Sequence, residues 1–285
     1  MNNSYKEVTV VIISHRSKKK VLNLVKKISN NFKIIIVENS YDKSIGNELL
    51  DLRKNTQIIF SENKGYGSAV NLARKKIYTK YFFVLNPDMQ KINDELITAF
   101  YNSAKELNDN FGALGPRFEN VNKKSHRQSN INEKYGHIDS ISGSAMFFCS
   151  EVFDRNRGFD ENFFLYFEEI DLCKNCKKNG GKIYLDKKII INHIGAGSVK
   201  SDYNIELEKN RNWHWMWSTF YFHRKHKGYF TALLILIPKL FSSFLKIIFY
   251  QLTFNNQKKN IYFCRMSGII NSMIGKKSWY RPSID

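Results

Sequence analysis

Acidic residues and thiols are both in short supply. The 285 residues include 26 Asp and Glu against 45 Lys and Arg, a formal net charge of +19. That balance excludes an acidic or neutral surface and implies attraction to something anionic: nucleic acid, an anionic membrane face or a phosphorylated substrate. The four cysteines, Cys149, Cys173, Cys176 and Cys264, contain one Cys-x-x-Cys and no second thiol pair. A four-thiolate zinc site is thereby excluded, and reduced thiols in a cytosolic setting are expected. No Gly-x-Gly-x-x-Gly or Walker A pattern occurs, and neither zinc-finger nor RNP-type spacing accompanies the scattered lysines. The opening MNNSYKEVTVVIISHRS has an apolar run of about six residues and no small-residue cleavage pattern, so no signal peptide is predicted and the cytoplasmic side is expected.

What is present first is alternation. Glu7 to Ser14, Phe32 to Ser40, Thr56 to Glu62 and Lys80 to Asn86 read as strands, the first two as near-continuous β-branched runs. Between them, Val21, Leu22, Val25 and Ile28 recur at helical spacing, IGNELLDLRK reads as a second helix, and NKGYGSAVNLARKKIY joins a glycine loop to a third. This predicts an α/β fold with a mixed, mostly parallel sheet flanked by helices. Further on, Asp94 is the expected N-cap of a helix, FGALGPRF a strand interrupted by a turn, 120–137 a polar loop, and FDENFFLYFEEIDLCKNCKKNG a helix. KIYLDKKIIINH then ends a strand or strand pair in His193.

The last third differs. NWHWMWSTFYFHRKHKGYF gathers three of the four tryptophans with basic residues, and the longest apolar segment follows, interrupted by Pro238, Lys239 and Lys246. Lys239, Ser242, Ser243, Lys246 and Tyr250 form a polar stripe at helical spacing. Leu240, Phe241, Phe244, Leu245, Ile247, Ile248 and Leu252 form the other face. The pattern predicts a helix lying on an anionic membrane surface, ahead of a buried helix or a membrane span.

Chemistry-bearing residues collect after the strands. Ligands in parallel α/β sheets bind beyond the carboxyl ends of the strands. His15 follows the first strand and Glu38 and Asn39 close the second; Asn63, Gly65, Tyr66 and Gly67 follow the third, and Asn86 and Asp88 the fourth. Each alone is ordinary loop composition, but together they furnish one rim. Glu168, Glu169 and Asp171 stand beside Phe163, Phe164, Tyr166 and Phe167, either as acids favoured by a helix N-terminus or as a carboxylate poised by partial desolvation. With Asp88, His193 offers the carboxylate and imidazole that a divalent cation bridging phosphates can use.

The ordered set VVIISH, VENS, ENKGYGSAVNLA, VLNPD, GALGP, SGSAMFF, FDENFFLYFEEIDLC and INHIGAGS, spanning about Val8 to Ser198, resembles family 2 glycosyltransferases of the GT-A fold, in particular the bacterial rhamnosyltransferase-like branch. The resemblance implies a catalytic domain over 1–200, with a nucleotide-sugar half at about 1–115 and an acceptor half at about 116–200, and a helical tail over 201–285. It implies an inverting, metal-dependent hexosyltransferase using dTDP-rhamnose or a UDP-hexose, with Mg2+ or Mn2+. The acceptor would be a lipid-linked, lipopolysaccharide- or capsule-type glycan at the cytoplasmic face of the inner membrane, where the protein sits peripherally. By the same resemblance Glu38 reads the base, while Asn63, Gly65, Gly67 and Asn71 enclose nucleotide and sugar. Asp88 and His193 hold the metal, and Glu169 is the base, with Glu168 as its understudy. Two positions depart from the family pattern: Asn86 stands where a paired acid is usual, and Glu169 is one methylene longer than the usual Asp. The alternatives are a sugar nucleotidyltransferase-like enzyme, an inactive transferase, and a non-catalytic anion- or nucleic-acid-binding protein. No nucleic-acid partner is expected under the leading reading, and a homo-oligomer is compatible with it.

Overall fold

A computed structural model describes residues 3–53, 55–119, 134–193 and 204–281, the side chains at 50, 193 and 204 excepted. Residues 120–133 of the expected polar loop and the IGAGS stretch after His193 lie outside the described residues, and the end of that loop, Tyr135–His137, is a strand instead. After the single turn α1 (Ser4–Glu7), the chain forms β1 (Val8–Ser14), α2 (Lys18–Val25), β2 (Lys33–Glu38), α3 (Ser44–Leu52), β3 (Thr56–Phe60), α4 (Tyr66–Arg74) and β4 (Tyr81–Leu85). β1 pairs in parallel with β2 and β4, and β2 with β3. Every residue of β1 and β4 is buried. Strands covered on both faces are mostly apolar, which is why these segments read as near-continuous runs, with Thr9 and Ser14 of β1 the buried polar exceptions.

Next come β5 (Met89–Gln90), α5 (Asp94–Glu106), β6 (Ala113–Phe118), β7 (Tyr135–His137), β8 (Ala145–Cys149), α6 (Ser150–Arg155), α7 (Glu168–Lys178) and β9 (Ile183–His193). The described strands make a nine-stranded sheet in the order β3-β2-β1-β4-β8-β6-β9-β5, with β7 also on β9. β8 runs antiparallel to β4, so the sheet is mixed. Alternate side chains feed two cores: Val10, Ile12 and Phe83 meet Leu24 and Phe100 on one face, while Val11, Phe82 and Phe148 meet Val70 and Leu172 on the other. Cys173 and Cys176 point into the second core, and all four thiols are buried and free. Burial pushes the Cys176 thiol up to about 12, as expected of an inert structural cysteine.

Three local expectations are corrected. Asn93, rather than Asp94, caps α5, its side chain accepting from the Leu96 amide at 3.0 Å, while Asp94 accepts from the Ser29 amide at 2.9 Å. Gly115 and Pro116 do not interrupt β6, because a register shift between Pro116 and Arg117 absorbs the missing amide. The helix expected from Phe159 begins only at Glu168, since Tyr166 and Phe167 both have left-handed backbone, φ 69° and 71°. Two such non-glycine residues in succession cannot belong to a right-handed helix.

The chain divides into two compact units: Met1–Glu161 with Glu168–Gly195, and Asn162–Phe167 with Ala196–Asp285. The second is helical, built from α8 (Asn204–Lys227), α9 (Tyr229–Leu252) and α10 (Asn256–Met273). Met216, Phe220, Ala232, Leu236 and Ile269 form one of its cores, and Trp213, Trp217 and Cys264 another. Trp213 donates to Ser267 Oγ at 3.2 Å and Trp217 to the Lys276 carbonyl at 3.0 Å. The short segment 162–167 joins them: Phe163 packs on Tyr221, Phe164 on His214, and Tyr166 on Trp215. The rings of the tryptophan-rich stretch are therefore largely core. The polar stripe expected on α9 splits, with Ser243 buried and Tyr250 stacked on Tyr262, while Lys239, Ser242 and Lys246 stay exposed.

Candidate active site

The strand register places the first candidates together. Ser14 of β1 lies opposite Glu38 of β2, and Glu38 opposite Phe60 of β3, so these carboxyl ends form one rim. Glu38 is 1% exposed, and it accepts from the Ser14 and Ser40 hydroxyls and, at 2.9 Å, from the Ser40 amide. A carboxylate has about four lone-pair sites, so one remains for a ligand. Asn39 is also buried and accepts from Ser61 Oγ at 2.7 Å, whereas His15 is exposed. Ser14 and Ser40, absent from the sequence-level candidates, are what hold Glu38 in place.

The loop after β3 turns on glycine. Gly65 has φ 105°, a backbone few side chains tolerate, and its amide is accepted by Asn63 Oδ1 at 3.2 Å. A Cβ on Gly67 would lie 2.8 Å from Phe159 Cβ, so only glycine lets α4 approach that closely. Asn71 is fully engaged: its Nδ2 donates to the Phe159 carbonyl and to Glu161, both at 2.9 Å, and its Oδ1 accepts from the Phe159 amide at 3.0 Å. It ties α4 to the 159–161 turn. The Tyr66 hydroxyl donates to the Gly143 carbonyl. A cavity of about 480 Å³ opens between the end of β3 and α4, lined by Tyr41, Ser61, Lys64, Ser68 and Glu161 among others. Its size suits a small-molecule ligand. Neither Glu38 nor Asp88 lines it.

Asp88 follows Pro87 at the end of β4 and is half-buried. The Asn86 amide donates to the Ser144 carbonyl at 2.9 Å, which joins this turn to the one at Ser142–Ser144. Asp88 lines a cleft of about 230 Å³ together with Lys20 of α2 and Lys27, two residues past the end of that helix. The sequence showed the two lysines only as part of a scattered positive charge. Met89 pairs with His193 in the β5–β9 ladder, so the His193 backbone lies one residue from Asp88 across the strands, but its side chain is outside the described set. Among the described residues no three His, Cys, Asp or Glu side chains gather as a metal cluster.

Glu168, Glu169 and Asp171 occupy the first turn of α7. Glu168 is 6% exposed, and its Oε2 has no hydrogen-bond partner among the described residues. Burial, with the neighbouring Glu169 adding to it, raises its pKa, and burial raises that of Glu169 as well. The helix N-terminus favours the charged form, yet desolvation prevails, so the pair holds protons more tightly than carboxyls in water. Burial and these two acids push the Tyr66 phenol far above its ordinary range. A Cβ on Gly143 would lie 3.9 Å from the Glu169 carboxyl carbon, so the Ser142–Ser144 turn lies beside Glu169; it accepts from the Tyr66 hydroxyl and, through the Ser144 carbonyl, from the Asn86 amide after β4. Asp171 is different: fully buried and accepting from Asn175 at 3.1 Å, it faces the interior.

A mixed sheet flanked by helices, with polar residues at consecutive strand ends and an acidic helix start beside them, defines a GT-A-type transferase core. The Glycosyl transferase family 2 model matches residues 9–164, and the chain belongs to that family. It is similar to the low-salt glycan biosynthesis hexosyltransferase Agl10 of Haloferax volcanii, 24% identical over 60% of this chain and 62% of that one. It is also similar to the rhamnosyltransferase WbbL of Escherichia coli, 26% identical over 62% of this chain and 79% of that one. The match thus spans less than two thirds of the archaeal relative's length. In fold it resembles the mannosyltransferase PcManGT of Pyrobaculum calidifontis, solved with GDP-Man and Mn2+ (TM-score 0.57, 12% identity, 95% of this chain and 88% of that one). TarS of S. aureus, solved with UDP-GlcNAc, is similar in fold too (TM-score 0.51, 14% identity, 96% and 93%).

Proposed function

We propose that the protein is an inverting glycosyltransferase that moves a sugar from dTDP-rhamnose or a UDP-hexose to a hydroxyl of a lipid-linked or lipopolysaccharide- or capsule-type glycan, peripherally at the cytoplasmic face of a bacterial inner membrane. The observation that carries this reading is the Ser142–Ser144 turn. Asn86, after β4 and two residues ahead of Asp88, donates to its Ser144 carbonyl, and Glu169 at the start of α7 lies beside its Gly143. A donor at the strand ends and an acceptor at the acids would therefore meet.

Glu169 takes the proton from the acceptor hydroxyl as that oxygen bonds to the anomeric carbon. The bond to the nucleoside diphosphate breaks on the opposite face, so configuration inverts in one displacement. A carboxyl with a raised pKa is the stronger base once deprotonated, and burial is what raises that of Glu169. Lys20 and Lys27, sharing the cleft of Asp88, complement the charge of the diphosphate. Glu38 keeps one acceptor site for the nucleobase. The carboxylate of Asp88 is a donor that Mg2+ or Mn2+ takes readily, and with His193 it would hold the ion, which when bound stabilises charge on the leaving diphosphate.

The test is donor hydrolysis and sugar transfer by the full chain across dTDP-rhamnose and UDP-hexoses, with and without Mn2+. Asp88→Ala should lower turnover by roughly two orders of magnitude or more while leaving the unfolding midpoint near that of the parent. Equal turnover by the variant, or rates indifferent to the ion, would remove Asp88 and the metal from the reading.

A further inference from the structure

The outward side of α9 has no counterpart among the described residues. Phe230, Leu234, Ile237, Phe241, Leu245 and Ile248 recur at spacings of three and four and so fall along one line of the helix. All are exposed, from 43% at Ile248 to 81% at Phe230. The opposite line is taken: Ala232 and Leu236 pack with Met216 and Phe220 of α8 and Ile269 of α10, and Ser243 is buried. An apolar surface of this length is an interaction site.

Charge says what it meets. Between Tyr229 and Arg281 the chain carries eight Lys and Arg and no Asp or Glu. A second copy would bring the same positive charge to the contact and be repelled, whereas an anionic lipid surface complements it. Lys246 is turned away from the apolar line, its Nζ donating to the Tyr262 hydroxyl at 3.2 Å on α10.

Packing decides how the helix lies. α9 is long and apolar enough to cross a membrane. But α10 runs beside it, from Tyr262 stacked on Tyr250 at one end to Ile269 clustered with Leu236 at the other. A crossing α9 would carry Arg265 and Asn271, which lie along that stretch of α10, into hydrocarbon. We propose that α9 lies flat in the interface of an anionic bilayer, with the Phe230–Ile248 line among the acyl chains and α10 on the water side. This deepens the peripheral placement proposed above and rests on it, but is independent of the transfer chemistry.

Flotation of the full chain with vesicles tests it, using phosphatidylcholine alone and phosphatidylcholine with roughly a third phosphatidylglycerol. Binding is expected to the anionic vesicles, with release by alkaline carbonate. The variant F230S/F241S/I248S should bind at least roughly tenfold more weakly, with donor hydrolysis unchanged. Should that variant fail to fold, K258E/K259E, altered only at α10 lysines, should lower anionic binding by a comparable factor. Equal flotation with both vesicle types overturns the proposal, as does retention after carbonate, which would mean a crossing helix. A parent chain that stays off the vesicles and is dimeric by light scattering also overturns it in favour of a second copy. Hydrolysis without flotation sinks this inference alone; flotation without hydrolysis sinks the transferase reading alone.

Discussion

Glu38, at the end of β2, and Glu168, at the start of α7, are both carboxyls withdrawn from water in the same unit. Glu38 is met by three donors from Ser14 and Ser40. Glu168 has an oxygen with no partner among the described residues and an acid beside it in sequence. The first arrangement holds a carboxylate still, as a group that reads a ligand must be held. The second leaves a carboxyl whose charge the fold resists, as a group that handles a proton requires. On the proposed reading, the donor side and the acceptor side differ less in residue type than in how many hydrogen bonds each acid receives.

The sharpest way to break that contrast is at the acids of α7. Glu169→Gln should lower transfer by roughly two orders of magnitude or more with an unchanged unfolding midpoint. If instead Glu168→Gln carries the loss in kcat and Glu169→Gln does not, the two acids exchange roles. Next in size, Glu38→Ala leaves donors on buried Ser14 and half-buried Ser40 unmet and should cost roughly 2–3 kcal/mol of stability, read from urea unfolding. Glu168→Gln, where no partner is lost, should cost far less.

A third measurement follows stability against pH. Burial pushes Glu168 up to about 8 from its ordinary 4.5, so between these values the folded chain binds more protons than the unfolded one. Stability therefore falls as pH rises through that window, and Glu168→Gln should flatten the slope. Its persistence in the variant would place the proton elsewhere in the pair. The smallest effect is expected from Tyr66→Phe, which removes the bond to Gly143 and should cost about 1 kcal/mol; it should lower transfer more than donor hydrolysis if that turn positions Glu169.

The parallel half of the sheet was legible because a strand buried on both faces is nearly continuous in apolar residues, as Val10–Ile13 and Tyr81–Leu85 are. The rim was legible because strand ends must change to turn residues, as at Asn86–Pro87–Asp88. Asn71 looked like a ligand residue and is a tether, because its partners at Phe159 and Glu161 are remote in sequence. Lys20 and Lys27 were hidden among many lysines. The aromatic run before Glu168 looked like part of a helix, and only its partners on α8 explain why it is not.

That run has a consequence for how the protein can be dissected. The chain enters the helical unit at Asn162 and returns to the sheet unit at Glu168. A chain shortened ahead of α8 would strip Tyr221 and His214 from Phe163 and Phe164, baring two phenylalanines immediately upstream of the acid pair. The helical unit is therefore no interchangeable cassette. Grafting it from a relative would require moving the six residues 162–167 with it, and inactivity after truncation would report on that damaged entry to α7 before it reported on lipid.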